Sequence, residues 1–276
     1  MTHDHPPIHI FGGTSDARLI CQLLDEFGER YSLSVATDAG KQLAGDIGGE
    51  VLVGRMDAAQ MADFLITRQV QWVVDASHPY ADLLSDNVAT ACGQSNVVLT
   101  RYQRPSEIEA IHHHPQLYKV DSAAAACAVA QGLGPRVLLT TGSKQLAEYQ
   151  QRLTGKTLLA RVLPTAEVLS QCEALGLGVD NIIALRGPFS AQFNHALYEF
   201  CQPDVVITKE SGAQGGYQEK VAPCLALNIP CIVVRRPAAV VLGSLGQQVT
   251  SLDEFTRHLM HWQQSGPLAR TTRTTK

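Results

Sequence analysis

Apolar and polar positions alternate in blocks along the chain. Short apolar runs occupy Ile8–Phe11, Leu33–Ala36, Val51–Val53, Trp72–Val74 and Val97–Thr100. Helix-length stretches, Ser15–Phe27, Ala58–Arg68 and Asp82–Gly93, separate most of them. Near-continuous apolar strands are buried on both faces, as in a parallel sheet covered by helices. The first half therefore predicts an α/β, doubly wound, Rossmann-like domain. One interval departs from the rhythm. Thr37–Glu50, TDAGKQLAGDIGGE, is glycine-rich and predicts a loop with one short helical turn.

Arg101–Pro115 interrupts the pattern with two prolines and no useful apolar periodicity, which predicts an inter-domain connection. It contains His112, His113 and His114. Consecutive residues on an extended chain point to opposite faces, so these histidines are read as solvated linker and no metal is predicted. The second half repeats the plan. Strands are predicted at Leu117–Val120, Val137–Thr140, Leu158–Ala160, Ile182–Leu185, Val205–Thr208 and Cys231–Val234. Helices are predicted at Ala123–Gln131, Lys144–Gln151, Ala166–Leu175, Ala191–Phe200 and Gly216–Leu227. Lys156 falls in a predicted surface turn between them. After AAVVLGSLGQQV comes a helix over Ser251–Gln263, with Ser251 and Glu254 spaced as a capping box. The expected domains are residues 1–110, 116–247 and a C-terminal helix and tail over 248–276. A ligand cleft is expected between two Rossmann-like sheets.

Composition narrows the classes. A chain of 276 residues suits two domains, and 45% hydrophobic with 17% charged residues is an ordinary globular balance. A net charge of −4 argues against a nucleic-acid binder. No apolar run approaches the roughly 20 residues that span a bilayer, so no membrane partner is expected. MTHDHPPIHI lacks a basic region followed by a long apolar core, so no secretory signal is expected. The seven cysteines are scattered without a C-x-x-C pair, which predicts reduced thiols in the cytoplasm and no zinc site.

Ile8–Leu19, IHIFGGTSDARL, reads as strand, glycine turn and helix. Such a turn aims unpaired N–H groups and a helix dipole at an anion. Against the G-x-G-x-x-G/A fingerprint, Gly12 takes the first position and Ala17 the last, while Thr14 replaces the middle glycine. An ordinary tight turn would look the same. If the turn binds a dinucleotide, Gly12, Gly13, Thr14 and Ser15 contact its pyrophosphate. Ser77 and His78, after the fourth strand, also fall where a cofactor would sit. Pro79 is expected at the first position of the following helix. His78 could be a general acid or a structural hydrogen-bonder.

Ligands of parallel α/β sheets bind beyond the carboxyl ends of the strands. Those exits carry Arg101, Arg104, Ser143, Lys144, Arg161, Arg186, Lys209, Ser211, Gly212 and Arg235. Singly, Arg161 could make a surface salt bridge and Ser143 could be a helix N-cap. Together, the cations of an acidic protein at one edge predict a small polyanion held between two domains.

FGGTSDAR, VVDASHPYA, RYQRP, TTGSK, ARVLP, LRGPFS, TKESGAQGGYQEK and VVRRP occur in that order, from Phe11 to Pro237. Together they resemble the precorrin-6A reductases of cobalamin biosynthesis. TKESG followed by GG and EK is, with DASHPYA, the most specific part. The resemblance implies reduction of a precorrin ring double bond by a reduced nicotinamide cofactor. It also implies a tetrapyrrole whose acetates and propionates suit the cations. Thr37–Arg55 is closer to the anaerobic branch, which converts cobalt-precorrin-6A to cobalt-precorrin-6B. Asp38 stands where a carboxylate would accept a hydrogen bond from the ribose 2′-OH and repel a 2′-phosphate, which predicts NADH over NADPH. The needed proton could come from water, His78 or Lys209. Alternatives are the oxygen-dependent precorrin-6A reductase using NADPH, a non-catalytic tetrapyrrole carrier, and a synthase that closes the ring. The chain is expected to be a monomer or homodimer.

Overall fold

The computed structural model describes residues 5–106, 108, 114–210, 216–237, 242, 244 and 246–265. The chain divides into two units, Met1–Pro105 with Ala238–Lys276, and Ser106–Pro237. The second crossing thus falls after Pro237 rather than at residue 247, and the C-terminal helix belongs to the first unit.

The first unit runs β1 (Ile8–Phe11), α1 (Ser15–Glu26), β2 (Tyr31–Val35), α2 (Asp38–Ala44), β3 (Glu50–Val53), α3 (Ala58–Thr67), β4 (Trp72–Asp75), α4 (Asp82–Ser95) and β5 (Val98–Tyr102). The second runs β6 (Leu117–Val120), α5 (Ala123–Gln131), β7 (Arg136–Leu139), α6 (Leu146–Arg152), β8 (Thr157–Val162), α7 (Ala166–Ala174), β9 (Ile182–Ala184), α8 (Ala191–Cys201), β10 (Val205–Lys209), α9 (Tyr217–Ala226) and β11 (Cys231–Val234). The chain then supplies β12 (Gly246–Val249) and α10 (Leu252–Ser265) to the first unit.

Each unit holds a six-stranded sheet, in the order β12-β5-β4-β1-β2-β3 or β6-β11-β10-β7-β8-β9, with parallel pairing throughout. The two orders coincide, except that the strand beside β5 is the last of the chain and its counterpart, β6, opens the second unit. The central strands β1, β4, β10 and β11 are buried at every residue, which explains their unbroken apolar runs. The edge strands β3, β6 and β9 are only half-buried or exposed.

Capping hydroxyls start most helices. Thr14, Thr37, Ser122, Thr165 and Ser190 accept from the backbone N–H three residues on. Four local expectations are corrected. Asp38–Ala44 forms a helix of seven residues, more than one short turn, because Thr37 caps it. Helix α4 starts at Asp82, not at Pro79. Ser77 N–H donates to Asp75 Oδ1 at 3.0 Å and Tyr80 N–H to His78 Nδ1 at 3.2 Å, so side chains hold this segment in turns. Ser143 is not a cap: the residue preceding α6 is Gln145. Lys156 is no idle surface residue, because its ammonium donates to the carbonyls of Ala130, Gln131, Leu133 and Gly134 at the end of α5.

The C-terminal segment is anchored by aromatic packing. Phe255 and Leu259 of α10 are fully buried, and Trp72 lies 5.5 Å from Phe255 and 5.1 Å from Trp262 between ring centroids. Ser251 Oγ accepts from Glu254 N–H at 3.1 Å, as a capping box requires. The Glu254 carboxylate, however, reaches Thr250 N–H at 2.7 Å and not that of Ser251. No helix among the described residues is long and apolar enough to cross a membrane.

Candidate functional site

The carboxyl edge of the first sheet is built around the turn after β1. Gly12 is required by packing: a Cβ there would stand 2.5 Å from the Ala17 Cβ and 2.9 Å from Leu33 Cδ1. The absent side chain lets α1 lie close against β2. Gly13 has φ +104°, and among the described residues no atom beyond its chain neighbours lies within 4 Å of where its Cβ would be. The turn therefore presents bare backbone to open space at the start of a helix of 12 residues. That arrangement fits the pyrophosphate of a dinucleotide. Thr14 takes up a different task from the glycine it replaces. Its hydroxyl accepts from Ala17 N–H at 3.0 Å and donates to the Ala76 carbonyl at 2.9 Å. It thereby caps α1 and ties the glycine turn to the exit of β4. Ser15 and Asp38 are exposed at the N-terminal turns of α1 and α2, and Asp38 follows β2.

A buried network underlies the β4 exit. Asp75 and Arg101 face each other in register on β4 and β5. Arg101 Nη1 lies 2.5 Å from Asp75 Oδ2 and donates to Ser77 Oγ at 2.9 Å. The Arg101 and Asp75 side chains are only 4% and 2% exposed, so this guanidinium is engaged inside the protein. Ser77 is buried beneath the turn and contacts Ser85 Oγ at 3.3 Å, whereas His78 is exposed above it. Arg104 sits elsewhere, pairing with Asp16 at 2.8 Å beside the first turn of α1. Among the predicted cations it is thus close to the glycine turn.

In the second unit, Arg161 is buried near the end of β8 and Lys209 is buried as the last residue of β10. Lys144 and Arg186 are exposed past β7 and β9, and Ser143 is half-buried. Arg235 lies 3.7 Å from Asp121, while Arg236 is held against the buried Glu210 at 3.2 Å. Ser211 and Gly212 lie outside the described residues, as do His112 and His113. His114 Nδ1 accepts from Gln116 N–H.

The structure also adds residues that pattern reading passed over. Arg161 Nη1 donates to Asn194 Oδ1 of α8 at 2.6 Å, and its Cζ lies 4.6 Å from the centroid of the Phe189 ring. Lys220 stands near Arg161, and burial first, then that positive charge, pulls its pKa from 10.5 to about 8. Lys220 ends the TKESGAQGGYQEK motif, which was a visible signal. Asn194 had none, being one polar residue on the buried side of a helix.

Comparison with known proteins gives concordant matches. A family model described as precorrin-6x reductase CbiJ/CobK matches residues 7–260. The cobalt-precorrin-6A reductase of Salmonella typhimurium is 54% identical over 253 residues, covering 92% of this chain and 95% of that one. The cobalt-precorrin-6A reductase of Priestia megaterium is 33% identical, covering 83% and 90%. A solved structure of CobK precorrin-6A reductase superposes with a TM-score of 0.74 at 23% identity, covering 92% of this chain and 96% of that one.

Proposed function

The chain belongs to the precorrin-6x reductase family, and from that membership we propose its reaction, cofactor and working residues. It is an oxidoreductase that reduces cobalt-precorrin-6A in cobalamin biosynthesis. The observation that carries this is the 54% identity with a cobalt-precorrin-6A reductase across 92% of the chain.

The nicotinamide cofactor belongs at the glycine turn of the first unit. Gly12, Gly13, Thr14 and Ser15 take its pyrophosphate, and Arg104 adds a cation beside the same helix terminus. The open space over Gly13 and the helix start behind it support this placement. When bound, the cofactor supplies a hydride to one carbon of the macrocycle. The chain's own work is positioning and charge. Thr14 and the Asp75–Arg101–Ser77 network hold the turns that face the ligand. Asp38 favours NADH, because a carboxylate at the exit of β2 suits a ribose hydroxyl and repels a 2′-phosphate. Lys144, Arg161, Arg186 and Lys209 grip carboxylates of the tetrapyrrole, with Ser143, Ser211 and Gly212 as further substrate-binding residues. His78, exposed, and Lys209, at a strand end, are the protein's candidate donors of the proton that completes the reduction.

Anaerobic incubation with cobalt-precorrin-6A and either NADH or NADPH, followed by mass analysis, tests the reading. The expected product has gained two hydrogens, one from hydride and one from the proton. Asp38→Ala should lower the NADH-to-NADPH ratio of kcat/KM. No mass gain with either cofactor rules out the reductase, and an unchanged ratio means the ribose is read elsewhere.

A further inference from the structure

The second sheet carries a polar layer where its core meets the carboxyl edge. On β7, β8 and β10, Leu138, Leu159 and Val206 join the core that contains residues of α8 and α9. Alternate residues of a strand share a face, so Thr140, Arg161 and Thr208 follow them on that side, one step nearer the edge. Register sets the three level, because Leu139 pairs with both Ala160 and Ile207. Helix α8 contributes Asn194 and α9 contributes Lys220. Asn194 is itself fixed, since its Nδ2 donates to the Ser190 carbonyl at 3.1 Å and its Oδ1 accepts from Arg161.

Charge makes this layer unusual. Elsewhere, buried Arg101 faces the carboxylate of Asp75 and half-buried Arg236 that of Glu210. Among the described residues, the groups that hold Arg161 are the Asn194 amide, the Phe189 ring, the Tyr198 hydroxyl and the Cys201 and Cys224 thiols. None of these is a carboxylate. Lys220 adds a second positive charge, offset in part by Glu219. Thr208 Oγ1 is buried in the same layer with no hydrogen-bond partner among the described residues. A buried cation without a counter-ion is costly, and an arriving anion relieves that cost.

We propose that Arg161 and Lys220, with the hydroxyl of Thr208, form a carboxylate subsite in the second unit. It rests on the tetrapyrrole reading above, and the carboxylate it takes is an acetate or propionate substituent of that substrate. Arg161 offers a planar fork already oriented by Asn194 and Phe189, so little order is lost on binding. Lys220 supplies the second charge. Arg161 disfavours its ammonium form, and an entering anion offsets that repulsion.

The subsite is testable without turnover. The 15N-labelled protein is titrated with sodium propionate and, separately, with neutral propionamide, following the Arg161 Nε–H signal. That signal is identified by its loss in Arg161→Gln. Propionate should shift it to saturation in the millimolar range, and propionamide should not. In Lys220→Met, which keeps the aliphatic stem and the Arg161 probe, the apparent propionate affinity should fall at least 5-fold, an order-of-magnitude expectation for one lost charge-assisted contact. A linear, unsaturable response, or an equal response to propionamide, overturns the subsite. With cobalt-precorrin-6A, Lys220→Met should raise KM about 10-fold or more with kcat changed less, if a single substrate carboxylate is lost. Saturable propionate binding with an unchanged KM overturns the assignment to the substrate while leaving the reductase reading intact.

Discussion

Replacing Arg101 by Met should destabilise the first unit, because it leaves Asp75 charged and buried. The two side chains are 4% and 2% exposed and 2.5 Å apart. Breaking a buried pair by removing one partner costs about 3–5 kcal/mol, since the remaining charge is left without compensation. For a chain of this length, each kcal/mol lowers Tm by roughly 2–4 °C, so the fall should be on the order of 6–20 °C. Urea unfolding at pH 7 provides the free energy and calorimetry the Tm. Asp75→Asn should itself be costly, but Asp75→Asn/Arg101→Met should be far less damaged than the sum of the singles, with a coupling of about 1–3 kcal/mol. The functional effect should follow the structure. Arg101 also holds Ser77, Ser77 neighbours Ala76, and the Ala76 carbonyl receives the Thr14 hydroxyl. Nicotinamide affinity should therefore weaken through the displaced turn. An Arg101→Met protein within 1 kcal/mol of the parent would refute the buried-pair reasoning. If its loss appeared only in KM for the tetrapyrrole, Arg101 would be a substrate ligand instead.

His9 lies at 0% exposure on β1, and burial first, then the Arg68 charge, lowers its pKa from 6.5 to about 3. A histidine depressed in the folded state contributes stability that is complete above pH 6.5 and is lost as pH falls toward 3. The loss should reach roughly 2 kcal/mol at pH 5. His9→Asn should flatten that part of the profile, and equal slopes for parent and variant between pH 6.5 and 4.5 would count against it. Gly13→Ala introduces a side chain at φ +104°, costing about 1–2 kcal/mol, and should weaken NADH binding at least 10-fold by blocking approach to the backbone. Unchanged affinity by fluorescence titration would reduce the motif to an ordinary turn. Lys156→Met removes an ammonium shared by four carbonyls and should lower stability by about 1–3 kcal/mol while leaving kcat/KM of the folded enzyme unchanged. A stability equal to the parent's, measured in urea, would show those contacts to be idle.

The alternation of apolar runs and amphipathic helices was enough to identify two parallel α/β units. A strand covered on both faces leaves a continuous apolar record, and IHIF, WVVD, VVITK and CIVV each carry it locally. The Gly12–Gly13 turn was legible for the same reason, since its chemistry lies within one strand–helix step. The ordered set of motifs from Phe11 to Pro237 pointed to the family before any geometry was known. Other features depended on contacts between residues far apart in sequence. GQQV has no apolar run, so only its pairing with β5 and the burial of Phe255 against Trp72 reveal that the chain returns to its first sheet. Arg101 and Arg161 read alike as cations after strands. Register places Asp75 opposite Arg101, while Arg161 meets an amide and an aromatic ring. A residue's charge is written in its identity, but whether that charge is neutralised within the fold or kept for a ligand depends on which strand and helix fold beside it.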